Sequence, residues 1–151
     1  MNTRIKERLA ALRAAMAKES LAACYIPTAD YHLSEYVGEH FKFRAWLSGF
    51  TGSAGTLVVL PDQAGLWTDG RYFLQAEAQL AGTGIDLYKM QIPGVPTIEE
   101  FLTKHLKPGD RVGADGRTIS ASAGIALANA LEKKGISLDP STDPAAEIWT
   151  D

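Results

Sequence analysis

The chain has 151 residues, of which 46% are hydrophobic and 22% charged, as in an ordinary globular domain. The net charge is −3 at pH 7, and no stretch is strongly basic, so we expect no nucleic-acid partner. The longest strongly apolar run, residues 57–60, is far shorter than the roughly 20 residues of a membrane helix, and the first residues lack the apolar core of a secretory signal. Cys24 is the single cysteine, which excludes an intrachain disulfide and fits a reducing compartment. We therefore expect a cytoplasmic protein with no membrane partner.

The first half of the chain carries one helical and three strand-like patterns. Apolar residues at spacings of four, three and four predict an N-terminal amphipathic helix, whose stripe is formed by Ile5, Leu9, Leu12 and Met16. Residues 23–26 predict a strand that ends at Pro27, because proline has no N–H for a sheet. Residues 28–43 are mixed and polar, which indicates a loop with a short helical turn. Residues 57–60 and 64–68 flank a Pro-Asp-Gln turn and predict a β-hairpin.

The second half continues with alternating helices and strands. Asp69 is a candidate N-cap for a helix over residues 71–80, because its carboxylate can accept from exposed backbone N–H groups. A strand follows at residues 85–90. Thr97 and Glu100 have the spacing of a capping box, which predicts the start of the next helix.

A short strand at residues 111–114, a helix at 122–134 and a last strand at 136–138 complete the pattern. Strands that alternate with helices around one hairpin predict an α/β domain with a mixed sheet flanked by helices. We expect this domain to span residues 1–138. Residues 139–151 are acidic and contain two prolines, so we interpret them as the start of a linker to a following domain.

The histidines and the glycine-rich segment give little indication of a metal or phosphate site. His32, His40 and His105 are the only histidines, and none has the His-x-x-x-His or Glu-x-x-His spacing that places two ligands on one helical face. The glycine-rich segment, residues 49–55, lacks the lysine of a phosphate-binding loop and leads into a strand instead of a helix. We therefore expect no metal ligand here and interpret the glycines as a tight structural loop.

Two further motifs contain residue types that can take part in catalysis or binding. Ser48 and Ser53 lie in the glycine-rich stretch, but Gly-x-Ser-x-Gly does not occur, so a small hydrolase built on Ser53 or a histidine is a minor alternative. In the sequence Asp69-Gly70-Arg71-Tyr72, Arg71 could pair with an acidic group and Tyr72 could stack or donate a hydrogen bond. On these residues alone, a strand-to-helix turn is the simpler interpretation.

Several long segments, in order over nearly the whole chain, resemble one family. The segments are PTADYHLSEY at residues 27–36, RAWLSGFTGSAGT at 44–56, LWTDGRYFLQA at 66–76 and IWTD at 148–151. They are similar to the first domain of the long-form Xaa-Pro aminopeptidases, the aminopeptidase P branch of the creatinase/prolidase family of M24 metallopeptidases.

The resemblance implies an enzyme that removes the N-terminal residue of a peptide when proline comes second. In the family, a C-terminal domain of the pita-bread fold holds two divalent metals, often manganese, by Asp, His and Glu ligands, and a bridging water attacks the peptide bond. None of those ligands matches a position in this chain. We therefore expect no catalytic residue, no metal ligand and no cofactor here, and no enzyme activity from this chain by itself.

For this chain, the resemblance implies an α/β domain of ribonuclease H-like topology that packs beside the catalytic domain, helps to wall the substrate cleft and takes part in dimer contacts. Its polar and glycine-rich positions within the matching segments are candidates for the cleft or the interface: Arg44, Gly52, Ser53, Asp69, Arg71 and Tyr72. Relatives commonly carry Arg-Arg where this chain has Phe43-Arg44, so an anion contact at the first position is in doubt. The alternative is a stand-alone binding or scaffold module without peptidase activity.

Overall fold

The protein is described by a computed structural model that covers residues 2–28, 48, 55–68, 70–90, 92–114 and 121–139. Within these residues there are six strands, four helices of two turns or more, and one 3₁₀ turn. In chain order these are α1 (Asn2–Lys18), β1 (Ala23–Thr28), β2 (Gly55–Val59), β3 (Ala64–Thr68), the 3₁₀ turn (Gly70–Tyr72), α2 (Phe73–Leu80), β4 (Ile85–Lys89), α3 (Ile98–His105), β5 (Arg111–Ala114), α4 (Ala121–Glu132) and β6 (Ser137–Asp139).

The strands form one mixed sheet in the order β4-β3-β2-β1-β5-β6, which confirms the predicted fold class. Strand β2 is antiparallel to both of its neighbours, β1 and β3, whereas the other described pairs are parallel. All described strands except β2 therefore run in one direction. Their carboxyl ends lie at one edge of the sheet, called here the carboxyl edge, and β2 begins at that same edge.

Helices α1 and α2 cover the first face of the sheet. The predicted stripe of α1 is confirmed, because Ile5, Leu9, Leu12 and Met16 are all almost fully buried. They pack with aliphatic residues of the strands and with Ala76 of α2. The hairpin supplies alternate residues to this face, as the period of two in a strand requires.

Helices α3 and α4 cover the second face, whose core is richer in aromatic side chains. Trp67 and Phe101 are 2% exposed and pack with Leu127 and Leu131 of α4. Tyr25 and Tyr88 are partly buried against the same cluster. The sheet is therefore buried on both faces, which gives the predicted layered α/β architecture.

Two local expectations differ from the structure. The prediction that β1 ends at Pro27 is wrong, since Pro27 and Thr28 pair with Thr56 and Gly55. The described pairing of β1 with β5 ends at Tyr25, whereas its pairing with β2 continues to Thr28. Pro27 therefore lies beyond the described β1–β5 pairing, and a proline is tolerated there. The second expectation concerns the helix after β3, which begins at Phe73 and not at residue 71, because the 3₁₀ turn comes first.

The predicted domain boundary falls at the last strand. Strand β6 extends to Asp139, whose carboxylate accepts a 2.6 Å hydrogen bond from Arg111 Nη2. The predicted linker starts at Asp139, which the structure places in β6, and its remaining residues, 140–151, lie outside the described residues. Its assignment as a linker therefore stays a prediction.

Candidate functional site

The carboxyl edge of the sheet carries the described ends of the segments on which the family resemblance rests. Thr28 at the end of β1 pairs with Gly55 at the start of β2, and the 3₁₀ turn at Gly70 follows the end of β3 two strands away. The long segment between β1 and β2 and the Asp-Gly-Arg-Tyr segment after β3 are thus anchored at the same edge. Sequence separation alone did not reveal this proximity.

The structure describes only part of the predicted set of site residues. Arg44, Gly52, Ser53 and Asp69 lie outside the described residues. The backbone of Arg71 lies in the 3₁₀ turn, and Tyr72 follows it as the N-cap residue of α2, without a side-chain capping bond. Their assignment to a cleft or an interface stays a prediction.

Tyr72 and Leu74, at the end of this segment, differ in their burial. The Tyr72 ring is half-buried and packs against the first-face core, so its position is fixed by packing. Leu74, two residues later, is 83% exposed. An exposed leucine beside the turn is an apolar contact point that residue type alone could not distinguish from a core position.

A second feature, missed from the sequence, is a groove of about 500 Å³ on the second face. It lies between β1, β3, the segment that follows β4, α3 and α4. Its walls are mainly apolar, and its described lining residues are Tyr25, Trp67, Met90, Ile92, Val95, Pro96, Thr97, Ile98, Glu99, Ala126 and Leu127. We call it the aromatic groove, after Tyr25 and Trp67 in its walls.

Two sets of hydrogen bonds stabilise the wall of the aromatic groove. Trp67 Nε1 donates a 3.0 Å hydrogen bond to the Pro96 carbonyl oxygen, which ties the segment before α3 to the sheet. The predicted capping box is also confirmed. The Glu100 amide donates to Thr97 Oγ1 at 3.1 Å, and the Thr97 amide donates to the Glu100 carboxylate at 2.9 Å. The groove is therefore a preformed feature of the fold.

The aromatic groove is weakly charged and partly open to solvent. Glu99 is the ionisable carboxylate among its described lining residues. Burial, and to a smaller extent the nearby Glu99 charge, raise the pKa of Tyr25, so its neutral phenol is favoured. Met90 and Ile92 are 43% and 44% exposed, which leaves apolar surface at the mouth of the groove without cover from the described residues.

An aromatic stack of Trp67, Tyr88 and Phe101 lies between this groove and a neighbouring, more polar hollow, whose described lining includes Tyr88, Phe101, Lys104 and His105. The Trp67 and Tyr88 rings are parallel, with centroids 4.3 Å apart, and Phe101 meets both edge-on. His105 lies against Phe101, and its Nδ1 is 3.1 Å from the Gln63 amide nitrogen. His105 is thus held by an amide and a phenyl ring, an arrangement unlike a nucleophile–base pair.

The chemistry available in the described part of the chain is limited. Across the described ranges, no group of three or more His, Cys, Asp or Glu side chains is placed to hold a metal ion. Among the same residues, no helix combines the length and apolar character required to cross a membrane. The features of the described residues that bear on function are the carboxyl edge and the aromatic groove.

Comparison with known proteins places these surfaces in a family context. The family model of the creatinase/prolidase N-terminal domain matches residues 8–148. Aminopeptidase P2 of Arabidopsis thaliana is 44% identical, over 97% of this chain and 21% of its own length. The probable Xaa-Pro aminopeptidase P of Laccaria bicolor is 45% identical, over 85% of this chain and 20% of its length. The chain thus spans about a fifth of these curated relatives.

Solved structures agree with this result. The X-prolyl aminopeptidase of Caenorhabditis elegans, a cytosolic enzyme with a di-nuclear active site, superposes with a TM-score of 0.82 at 31% identity, covering 97% of this chain and 26% of that one. The N-terminal domain of the cytoplasmic peptidase PepQ from Mycobacterium tuberculosis gives a TM-score of 0.68 at 25% identity, covering 95% of this chain and 99% of that domain. The chain belongs to the creatinase/prolidase N-terminal domain family.

Proposed function

We propose that this chain is the non-catalytic N-terminal domain of a cytoplasmic Xaa-Pro aminopeptidase. The observation that carries the proposal is the pattern of coverage. The family model matches nearly the whole chain, while the chain matches only 21% and 20% of two relatives that carry the Xaa-Pro aminopeptidase or aminopeptidase P name. The peptide substrates with proline second, and the hydrolysis itself, then belong to the longer protein.

The catalytic metals belong to the domain that we propose follows this one. Two divalent ions, expected to be manganese, would polarise a bridging water for attack on the peptide bond. The described residues do not fit such a centre, because they contain no cluster of three or more possible ligands. No step of the hydrolysis is therefore assigned to this chain, and we expect none from it alone.

The role that we assign to this chain is to wall the substrate cleft and to contact the catalytic domain or a second subunit. The carboxyl edge supports this role, since the described ends of two matching segments meet there, with the exposed Leu74 close to the 3₁₀ turn. The residues proposed to face the cleft or the interface are Arg44, Gly52, Ser53, Asp69, Arg71 and Tyr72.

Hydrolysis assays test the assignment directly. The complete gene product and this chain are each incubated with manganese and a peptide that has proline second, and release of the first residue is followed. We expect release by the complete product and none by the chain alone. Metal-dependent release by the chain alone would refute the proposal, as would an inactive complete product that binds the peptide as a scaffold.

The surface role needs variants in the complete product. We expect Arg44→Ala and Arg71→Ala to weaken hydrolysis of longer peptides or to weaken dimerisation, because either loss removes a fork of charge-assisted hydrogen-bond donors. Lys133→Ala is the matched control, since Lys133 is exposed just beyond α4, at the opposite edge of the sheet. Unchanged kinetics and unchanged dimerisation in both arginine variants would contradict the role.

A further inference from the structure

Strand β4 is the last strand on one side of the sheet, and β3 is its only neighbour among the described strands. The outer side of β4 is called here the β4 edge. A shallow hollow of about 370 Å³ lies beside the first half of this edge, and its described lining residues are Glu77, Leu80, Ala81, Gly82, Gly84, Ile85, Asp86 and Leu87. The β4 edge is thus accessible from outside, and an edge strand of this kind is a template for pairing with another chain.

Hydrogen bonds around β4 show which of its backbone groups point outward. The Met90 amide donates to the Thr68 carbonyl oxygen of β3 at 3.0 Å, so the backbone groups of Met90 point towards β3, as do those of every second residue before it. Because backbone groups alternate in direction along a strand, those of Ile85, Leu87 and Lys89 point outward. Three N–H and three C=O groups of β4 are therefore directed away from the sheet.

Two of these six outward groups already have partners within the chain. The Ile85 amide donates to Thr83 Oγ1 at 3.2 Å, and the Lys89 carbonyl oxygen accepts from the Ile92 amide at 3.4 Å. The other four have no partner among the residues that the structure describes. They are the Ile85 carbonyl oxygen, the Leu87 amide, the Leu87 carbonyl oxygen and the Lys89 amide.

These four groups are complementary to themselves under a two-fold axis at Leu87. In an antiparallel pair of two β4 strands centred there, the two Leu87 residues exchange both hydrogen bonds, and each Lys89 amide meets the Ile85 carbonyl oxygen of the other copy. The groups that would complete the ladder are the Ile85 amide and the Lys89 carbonyl oxygen, which have internal partners. We propose that two copies of this chain pair through the β4 edge, antiparallel around Leu87, so that their sheets join into one.

The side chains of β4 are compatible with this pairing. A lysine often protects an edge strand, but Lys89 Nζ is 2.6 Å from Glu77 Oε1 and 5.5 Å from the Phe73 ring centroid, so its charge is held against α2. Around the two-fold axis, Asp86 lies opposite Tyr88 of the other copy, so no like charges are directly opposite within the paired strands. The two Asp86 residues are diagonal neighbours about 8 Å apart, and salt weakens their repulsion at that distance.

Amide hydrogen exchange tests the pairing in the wild-type chain. At low protein concentration, the outward amides of Leu87 and Lys89 should exchange faster than the inward amide of Tyr88. As the concentration rises, exchange at Leu87 and Lys89 should slow severalfold, whereas Tyr88 is the internal control because its amide already bonds to β3. Exchange at Leu87 and Lys89 that is independent of concentration would overturn the proposal, whether the β4 edge stays free or binds a different partner.

A proline variant removes one outward amide and leaves the ladder with β3 intact. Leu87→Pro deletes the N–H at the two-fold axis, and proline is tolerated on an edge strand in that orientation. Leu138→Pro is the matched control, because Leu138 is also a partly buried leucine on an edge strand, and the bond from the Ser137 amide to Asp110 directs the Leu138 amide away from β5. We expect the sedimentation coefficient to rise with concentration for the wild type and Leu138→Pro, and to stay at the monomer value for Leu87→Pro. Equal association of the two proline variants would contradict the proposal.

Cross-linking tests the same contact in the complete gene product, without a proline. Asp86→Cys places two exposed thiols about 8 Å apart across the two-fold axis, within reach of a short bis-maleimide, while the native Cys24 is buried. Ser137→Cys is the matched control, since Ser137 is exposed on β6, the last strand on the other side of the sheet. We expect a cross-linked dimer from Asp86→Cys alone, and its absence would refute the pairing. Because no hydrolysis is measured, this result is independent of the proposed function.

Discussion

The two faces of the sheet are built from alternate residues of the same strands but end in different states. The first face is aliphatic and closed, with a long helix whose apolar stripe is almost fully buried against it. The second face is aromatic, and α3 and α4 leave a groove of about 500 Å³ above Tyr25 and Trp67. The difference indicates that the first face serves to stabilise the fold, whereas the second face both stabilises the fold and offers a surface for binding.

The first way to test this comparison is to damage the closed face. Leu12 has no exposed surface and lies in the centre of the α1 stripe, so we expect Leu12→Ala to lower the free energy of unfolding by about 2–5 kcal/mol. Urea unfolding monitored by circular dichroism measures the loss. Leu74→Ala is the control, because Leu74 is 83% exposed and should change stability by no more than about 0.5 kcal/mol. A small loss at Leu12 would mean that the closed face is not the main source of stability.

The second test overpacks the aromatic face. A Cβ atom added at Gly65 would lie 2.6 Å from Tyr88 Cε2 and 2.8 Å from Trp67 Cζ3, which are part of the aromatic stack. Gly65→Ala should therefore cost about 1–3 kcal/mol and disturb the near-ultraviolet circular dichroism of the stack. Gly70→Ala is the matched control, since its Cβ would lie 4.0 Å from Phe73 Cε2, an ordinary van der Waals contact. Equal stability of the two alanine variants would contradict the rigid stack.

The third test loosens the wall of the groove. Thr97→Ala removes the side chain that accepts from the Glu100 amide, and we expect a loss of about 0.5–2 kcal/mol. Thr97→Ser keeps the hydroxyl group and should retain most of the stability. Hydrogen exchange of the amides in the first turn of α3 should rise in the alanine variant and stay low in the serine variant. Unchanged exchange in both would show that the capping box does not hold this wall.

The smallest expected effect is a dependence on alkaline pH. Burial, followed by the Glu99 charge, raises the pKa of Tyr25, so the folded state retains a proton that the unfolded chain releases near pH 10. This stabilisation is complete below about pH 10 and is lost as the pH rises through the higher folded pKa. Urea unfolding from pH 8 to pH 11 should show a smaller decrease in stability for Tyr25→Phe than for the wild type. Parallel curves would rule out the tyrosine as the cause.

Local signals in the sequence predicted most of the elements. The stripe of α1, the β2–β3 hairpin and the capping box at Thr97 and Glu100 depend on residues close in the chain, and the structure confirms all three. The local rule for proline predicts a strand end at Pro27, because proline has no N–H for a sheet. The structure keeps it in β1, since pairing with Thr56 is possible beyond the register with β5.

The aromatic groove could not be predicted in the same way. Tyr25, Trp67, Met90 and Leu127 come from four separate elements or their ends, and their proximity depends on the sheet order and on the packing of α4. Local patterns in the sequence predict a strand at Trp67 and a helix at Leu127, and neither pattern indicates that the two residues are close in space. Most of the site residues named from the resemblance, Arg44 among them, lie outside the described residues, so their roles remain predictions.

The pairing of β1 with β5 has a consequence for biosynthesis. Cys24 in an N-terminal strand acquires its second neighbour, Gly113, only after most of the domain has been translated. A nascent chain on the ribosome therefore carries β1 with one side open for much of its synthesis, and contacts so distant in sequence close slowly. During that interval the exposed strand can pair wrongly with other chains, and it is there that a chaperone would protect it.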